Sequence, residues 1–397
     1  MSLSRQPRPL RVVHVSFHLD VEQRDGAALL RAWPTLPAVA SAVARAGVDV
    51  TVVQTAHKSE TIQRDGVGFH FVEGAHRDWA RVFERVASLE PDVVHVHGLN
   101  VPRAMRPLSR AVPGVPVLVQ DHGGPVPAGW RRIAWGWAHR TLSAATFTAS
   151  EQATPWKRAG VLRADLPVFE VLEGSSEFTP GDRDAARRAT NMSGAPCLFW
   201  TGRLDANKDP LTMLAAVERA AAVVPGLRLW CCFGEAHLLD AVNERIARST
   251  VLAERVHLLG ARPHDEMELR FRGADFFVQT SHRESTGYSL IDALACGATP
   301  LVTDIPAARK IVGDAGSLTP VEDSRSLGDA IIEWAGRDQE VLRRAARARF
   351  EKALTFDVIG AQLRVVYETL AGARVNHRDV TVGAPRDAGE HLAAAQR

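Results

Sequence analysis

Two carboxylates eight positions apart, Glu284 and Asp292, bracket a short Gly-containing loop in the run Glu-Ser-Thr-Gly-Tyr-Ser-Leu-Ile-Asp. The loop leads into an apolar helix pattern of Leu290, Ile291, Ala293, Leu294 and Ala295, closed by Gly297. Upstream, Phe276 to Thr280 reads as a buried strand. Strand, Gly loop and helix start make an anion site, because free amide N–H groups and the positive end of the helix dipole face outward. Carboxylates do not bind phosphate, but they accept hydrogen bonds from hydroxyl groups. A phosphate cradle flanked by hydroxyl binders describes a nucleotide-sugar pocket. The same residues also fit a plain helix start, with Ser289-x-x-Asp292 as a capping box and Glu284 as a solvated loop acid.

A second cluster of chemistry lies in Thr201 to Pro210, directly after the strand-like run Cys197 to Trp200. Here Gly202 is followed by Arg203 and, five positions on, by Lys208. A planar guanidinium for bidentate contact and an ammonium point charge together suit a diphosphate. Read separately, both are ordinary solvated charges. His122, between Asp121 and the pair Gly123-Gly124, sits in a loop at a strand end. His95 and His97, two apart on a strand, face the same side. Two ligands do not make a metal site, so one is expected to reach a cleft and the other to pack. Trp130 to Arg140 interleaves Trp and Arg. Core packing of the Trp residues is the preferred reading, and docking on an anionic membrane surface is the rival one.

The elements that position these residues alternate. In the first half, strand runs fall at Arg11 to Val15, Val50 to Val53, Gly68 to Val72, Asp92 to His97, Val115 to Val119 and Ala145 to Ala149. Helix patterns separate them. The near-continuous apolar strands predict a parallel sheet covered on both faces. Pro180-Gly181-Asp182 marks a joint, after which the rhythm restarts and closes at Thr299 to Thr303. The expected architecture is α/β, with two doubly wound, Rossmann-like parallel-sheet domains facing across a cleft. The boundaries are residues 1–179 for an acceptor-side domain and 180–355 for a nucleotide-sugar domain. Residues 356–372 form a helix returning to the first domain, and 373–397 a flexible tail.

The 397 residues exceed one ordinary core, and 46% hydrophobic with 24% charged residues is a globular composition. A net charge of +2 gives no global field for nucleic acid. Cys197, Cys231, Cys232 and Cys296 lie in apolar runs without C-x-x-C spacing and read as reduced core residues. No apolar run has the length of a membrane span, and Met1 to Pro9 lacks a hydrophobic segment, so a cytoplasmic protein is expected.

Gly202-Arg203-Leu204 with Lys208, and Glu284 through Gly297, together resemble the retaining glycosyltransferases of family four, which have the GT-B fold. Asp92 to Gly98 and the strand entry Arg11 to Val15 are similar to the N-terminal half of that family. The resemblance spans the chain to about Leu370. It implies that Arg203 and Lys208 neutralise the donor diphosphate and that Glu284 lies beside the transferred sugar as the first acid of an E-x7-E motif. It also places the backbone of Gly287 and Tyr288 on sugar hydroxyls, and that of Ser289 and Leu290 on the phosphates. Arg262 falls where the family's loop meets the nucleotide base, and His122 on the N-domain histidine near the reacting centre. It implies no metal and no cofactor, with a UDP- or GDP-linked sugar as donor. Two departures stand out. The second acid is Asp292, one methylene shorter than Glu, which bears on the ribose contact. The N-terminal Gly-rich loop is reduced to Asp25-Gly26-Ala27, leaving Gly26 as its one glycine.

The function expected is transfer of a sugar, with retention, to an acceptor hydroxyl in cell-surface polysaccharide or glycolipid synthesis. The acceptor is a sugar, a lipid-linked molecule or a small molecule, and peripheral contact with the inner face of the membrane is what the rival reading of the Trp/Arg stretch would add. The alternatives are a nucleotide-sugar epimerase, a phosphorylase, or an inactive nucleotide-sugar-binding subunit on the same scaffold.

Overall fold

The computed structural model describes residues 8–74 and 79–382, with side chains as far as residue 373. Its first half is an eight-stranded sheet: β1 (Arg11–Ser16), β2 (Asp49–Ala56), β3 (Glu60–Arg64), β4 (Val67–Glu73), β5 (Val93–His97), β6 (Val117–Gln120), β7 (Ala144–Phe147) and β8 (Val168–Glu170). The order across the sheet is β3-β4-β2-β1-β5-β6-β7-β8. The second half is a six-stranded sheet: β9 (Cys197–Thr201), β10 (Arg228–Cys232), β11 (Val256–Gly260), β12 (Phe276–Gln279), β13 (Thr299–Thr303) and β14 (Ser317–Thr319), in the order β11-β10-β9-β12-β13-β14. Val12, Val13 and Val15 of β1, Val93, Val94 and Val96 of β5, and Phe276 to Val278 of β12 are buried, as strands covered by helices on both faces must be.

Strand order reverses at β1/β5 in the first sheet and at β9/β12 in the second. There the loops leaving the carboxyl ends of the strands diverge and open a crevice. The loops bearing Arg203, Lys208 and Glu284 follow β9 and β12, so the topology itself brings them to one place.

The structure corrects the expected elements in three ways. β3 pairs antiparallel with β4, so the first sheet is not purely parallel. Asp65 (φ 51) and Gly66 (φ 78) form the left-handed turn that a two-residue hairpin needs. β8 extends the first sheet past Ala149, as β14 extends the second past Thr303. The last helix, Phe356–Val382, runs on through the start of the expected tail. Ala373 to Val382 contains no Gly or Pro, and Gly383 is the first breaker. Residues 383–397 of the expected tail lie outside the described residues.

That last helix belongs to the second half in sequence but packs on the helix Thr35–Arg45 of the first. Gly360 permits the close approach, since a Cβ there would stand 2.5 Å from the Ala42 carbonyl oxygen. Arg45 pairs with Asp357 at 2.6 Å, and Arg364 donates to the Ala46 carbonyl at 2.9 Å. The chain therefore crosses between the halves twice. The two crossings touch, with Ser175 Oγ donating to the Leu354 carbonyl at 2.5 Å.

The helix Trp130–His139 overturns the core-packing reading of its aromatic residues. Trp130 is 75% exposed, Ile133 70% and Trp137 55%, while Trp135 turns inward towards Trp156. The buried side of this helix is made by Ala138 and His139. Trp130 and Trp137 share the outer face with Arg131 and Arg132, and the Arg106 guanidinium lies 3.3 Å over the Trp137 ring.

Candidate active site

The loop after β9 is built around Asp205, which the motif reading passed over. Arg203 Nε donates to Asp205 Oδ2 at 2.8 Å, and the Lys208 backbone N–H donates to Asp205 Oδ1 at 2.9 Å. The carboxylate folds the loop back, and its hydrogen bond and charge raise the Arg203 pKa above its ordinary value. Asp209 then caps the helix Pro210–Ala221 through the Thr212 N–H.

The loop after β12 is stitched to this one. Thr280 Oγ1 contacts the carbonyls of Lys208 and Asp209 at 2.8 and 2.9 Å, and Asn207 donates to the Arg283 carbonyl at 3.1 Å. Lys208 Nζ meets Glu284 Oε1 at 2.5 Å, and Gln279 Nε2 donates to the same oxygen at 3.1 Å. Both members of this ion pair are largely buried, at 20% and 14% exposure. The structure therefore joins Lys208 to Glu284 directly, while Arg203 stands exposed on the rim beside them.

Gly287, at φ 86, adopts the left-handed conformation and turns the chain into the helix Tyr288–Cys296. Among the described residues the Tyr288 and Ser289 N–H groups have no partner and remain open to a ligand. The Leu290 N–H is not open, because it donates to the Gly287 carbonyl at 3.0 Å. Of the two amides assigned to phosphate, only that of Ser289 is available.

Asp292 is not a cap. The helix begins at Tyr288 with no side-chain cap, which leaves Asp292 past the first turn. Its Oδ1 accepts from Ser176 Oγ at 2.5 Å, and burial pushes its pKa up to about 6. The capping-box reading of Ser289 and Asp292 fails because the left-handed Gly287 shifts the helix start.

Arg262 stands just past the end of β11 and pairs with Glu266 at 3.5 Å; among the described residues it makes no hydrogen bond or ion pair with the loop of Glu284. Gly26 stands at the end of its loop. It is the first residue of the helix Gly26–Ala32, its N–H is held by Glu60, and a Cβ would stand 2.4 Å from the Phe71 ring. It packs against Phe71 at the start of a helix whose Leu29 and Leu30 line the cavity described below.

Across the cleft, the first half grips the Glu284 loop. Gln152 Nε2 donates to the Glu284 and Ser285 carbonyls, both at 2.8 Å, and the hydroxyls of Thr148 and Thr286 are 2.8 Å apart. Ser285 Oγ donates to Glu173 Oε1 at 3.3 Å, and His122 Nδ1 lies 2.8 Å from Glu173 Oε2. Gly123, at φ 80, lets the His122 loop approach, since a Cβ there would stand 2.8 Å from Ser285. None of Thr148, Gln152 and Glu173 carries a motif; only the fold reveals them.

Beside this junction opens a cavity of about 350 Å³ lined by Ser16, Gln54, His97, His122, Glu173 and Tyr288. His97 faces it, whereas His95 is fully buried. A third imidazole, His14, joins them from β1, where His14 is in register with His95, and the ligand atoms of the three lie within 4.8 Å of one another. Strand spacing alone could not show this partner. Burial lowers the His14 pKa to about 3 and holds His95 and His97 well below the usual range, so all three are neutral.

Residues 195–337, which include the Arg203, Lys208 and Glu284 loops, match the family model described as Glycosyl transferases group 1. The GDP-mannose:cellobiosyl-diphosphopolyprenol alpha-mannosyltransferase of Xanthomonas oryzae pv. oryzae is 24% identical over 292 residues, 72% of this chain and 76% of that protein. The chain is a glycosyltransferase. A phosphatidyl-myo-inositol mannosyltransferase of Mycolicibacterium smegmatis is 26% identical to this transferase over 334 residues, 79% of the chain and 81% of that protein. The D-inositol 3-phosphate glycosyltransferase of the same species is 30% identical, but over 46% of the chain and 43% of its own length. Among solved structures, sucrose-phosphate synthase from Thermosynechococcus elongatus superposes with a TM-score of 0.64 at 17% identity, covering 92% of this chain and all of that one. The catalytic domain of starch synthase IV from Arabidopsis thaliana gives 0.65 at 12%, with 92% of this chain and 100% of that one covered. The transferase has the GT-B fold.

The Gln152 clasp carries a direct expectation. Gln152→Ala removes two hydrogen bonds that hold the Glu284 loop and lowers kcat by about 10- to 100-fold, the equivalent of roughly 1–3 kcal/mol. The melting temperature changes little, because the loop remains stitched to the β9 loop. Steady-state kinetics at saturating donor checks this, and a kcat within twofold of wild type contradicts it.

Proposed function

We propose that the enzyme transfers a hexose from a GDP- or UDP-linked donor, with retention of configuration, to a lipid-linked polyhydroxylated acceptor at the cytoplasmic face of a membrane. The observation that carries the donor assignment is the juxtaposition of Lys208, Glu284 and the open N–H groups at Tyr288 and Ser289. On this reading the diphosphate lies against Lys208, Arg203 beside Gly202, and the helix end, whose charges stabilise the leaving group as it departs. Glu284 accepts a hydroxyl of the transferred sugar, with the backbone of Gly287 nearby. Asp292 and Arg262 are assigned to ribose and base. The bond from the anomeric carbon to the diphosphate oxygen breaks as that to the acceptor oxygen forms on the same face, and the acceptor proton leaves with the diphosphate. No protein nucleophile and no metal is needed for this.

The acceptor assignment rests on the first half. A groove of about 1390 Å³ bordered by Trp130, Ile133, Trp137, Arg103, Arg106 and Arg110 also reaches His97, a residue of the polar cavity. An apolar floor with a guanidinium rim suits an amphiphile with an anionic head. Among the described residues no single helix is long and apolar enough to cross a membrane, so contact is peripheral on this reading. The names of the two mannosyltransferase relatives, acting on a diphosphopolyprenol and on a phosphatidylinositol, agree with such an acceptor.

The deciding experiment incubates the protein with radiolabelled GDP-mannose or UDP-glucose and a bacterial lipid extract, then determines the anomeric configuration of the glycolipid by NMR. Retention in the product is expected; inversion, or isomerisation of the donor without an acceptor, overturns the reading. For the membrane surface, the double variant Trp130→Ala/Trp137→Ala is expected to abolish sedimentation with phosphatidylglycerol vesicles at low salt while leaving nucleotide affinity intact. Equal sedimentation of wild type and variant removes that assignment.

A further inference from the structure

We infer that Glu173 is a positioning residue for the acceptor side of the reaction, fixing His122 in one orientation and one tautomer at the mouth of the cleft. The inference rests on the reading of the cavity above as the acceptor site. Glu173 is 5% exposed, lines that cavity, and stands where both halves meet, between His122 of the first and Ser285 of the second. Among the described residues its Oε2 has no aligned hydrogen-bond donor, although His122 Nδ1 is 2.8 Å away, so a small turn of the ring completes the bond.

A chain of close contacts continues from His122 to the last helix. His122 Nε2 and His97 Nδ1 are 3.2 Å apart, and His97 Nε2 and His14 Nδ1 3.0 Å. His14 Nε2 lies 2.9 Å from the Tyr367 hydroxyl, which lies 2.7 Å from His95 Nδ1. A carboxylate accepts and never donates, and a neutral imidazole has one donor and one acceptor. With Glu173 at one end, every hydrogen then has a single consistent place. His122 carries its proton on Nδ1 towards Glu173, and its Nε2 accepts from His97 Nδ1–H. His97 Nε2 accepts from His14 Nδ1–H, His14 Nε2 from the Tyr367 hydroxyl, and Tyr367 oxygen from His95 Nδ1–H. The arrangement predicts that His95 Nε2 is left as a bare lone pair, and that atom is a buried nitrogen without a partner among the described residues. All hydrogens point the same way, from His95 through Tyr367 to the cleft, and the innermost nitrogen, His95 Nε2, has no partner among the described residues to supply a proton, so the chain serves to orient His122 and Glu173.

The test combines a spectroscopic signature with a kinetic split. Long-range proton–nitrogen correlation of [15N]histidine-labelled protein is expected to show His14, His95, His97 and His122 all as the Nδ1–H tautomer. Glu173→Leu removes the carboxylate and keeps the buried position filled by a side chain of similar volume. It is expected to release His122 from that tautomer and to raise KM about tenfold, the value of one charge-assisted hydrogen bond. The acceptors to use are octyl mannoside, octyl glucoside and inositol, with nucleoside diphosphate affinity by calorimetry unchanged. Glu173→Asp is expected to restore the tautomer and most of the acceptor affinity, which a purely structural role would not require. An Nε2–H tautomer at His122 in the wild type, or wild-type acceptor kinetics in Glu173→Leu, overturns the inference alone. Failure of the wild type to transfer to every probe overturns the functional reading and this inference with it. Should Glu173→Leu not fold, the wild-type tautomers and the Asp variant decide.

Discussion

Lys208→Ala is expected to lower kcat by about 10²–10³-fold at saturating donor, the range for removing one preorganised charge stabiliser. Arg203→Ala should cost less. The difference follows from their surroundings. Arg203 is 52% exposed and paired with Asp205, so solvent replaces part of what is lost. Lys208 is buried against Glu284, and its removal strands a carboxylate at 14% exposure beside the incoming diphosphate. That carboxylate would then repel the donor as well as fail to be neutralised. The double variant Lys208→Ala/Glu284→Gln should therefore recover part of the donor affinity lost in Lys208→Ala, without recovering the rate. Steady-state kinetics with calorimetric nucleotide binding separates the two effects. Near wild-type kcat in both single variants would sink the assignment of this pair to the leaving group.

Asp292→Asn is expected to stabilise the protein at neutral pH, the reverse of what a helix cap would do. Burial holds the folded carboxyl at about 6, above the 3.8 of an ordinary aspartate. A carboxyl whose folded pKa is raised contributes fully below the unfolded value and loses that contribution as pH rises through the folded one. Above about pH 6 the ionised Asp292 then costs roughly 1–3 kcal/mol, because a tenfold change in proton affinity is worth about 1.4 kcal/mol. Asparagine keeps an acceptor for the Ser176 hydroxyl and has nothing to ionise. Its melting temperature should exceed that of wild type at about pH 7.5, with the gap shrinking towards about pH 4. Nucleotide affinity should fall in the same variant if Asp292 holds ribose hydroxyls through its charge. A melting temperature below wild type across the whole range would show that the carboxylate is stabilising where it sits.

The strands and the loops after β9 and β12 are legible in the sequence because their signals are local. Val12 to Val15, Val93 to Val96 and Phe276 to Val278 are apolar runs that only a covered sheet accommodates, and Gly202 or Gly287 marks a turn within a few residues of the charges it presents. Gln152, Thr148 and Glu173 are not legible. Each meets a partner more than 100 positions away, and no periodicity encodes which loop of one half will face which loop of the other. His14 belongs with them, since it joins His95 only through the register of two strands that are far apart in the chain. The Trp130 to Arg140 stretch misleads for another reason. Amphipathic spacing identifies two faces of a helix, and it does not say which of them is turned inward when Trp and Arg share one. Asp292 is displaced from its expected cap by a single backbone choice, the left-handed Gly287.

The two chain crossings between the halves, tied to each other by Ser175 and Leu354, have a mechanical consequence. A body joined to another by two adjacent straps cannot spin freely about either; it can only swing about the line they define. Glu173 is two residues from Ser175, at most about 7 Å of extended chain from that axis. Any swing therefore acts on it through a short lever arm, while the outer rim of the crevice travels far. In such a swing the crevice would open most at its wide end, while the contacts at His122, Glu173 and Ser285 would shift only slightly.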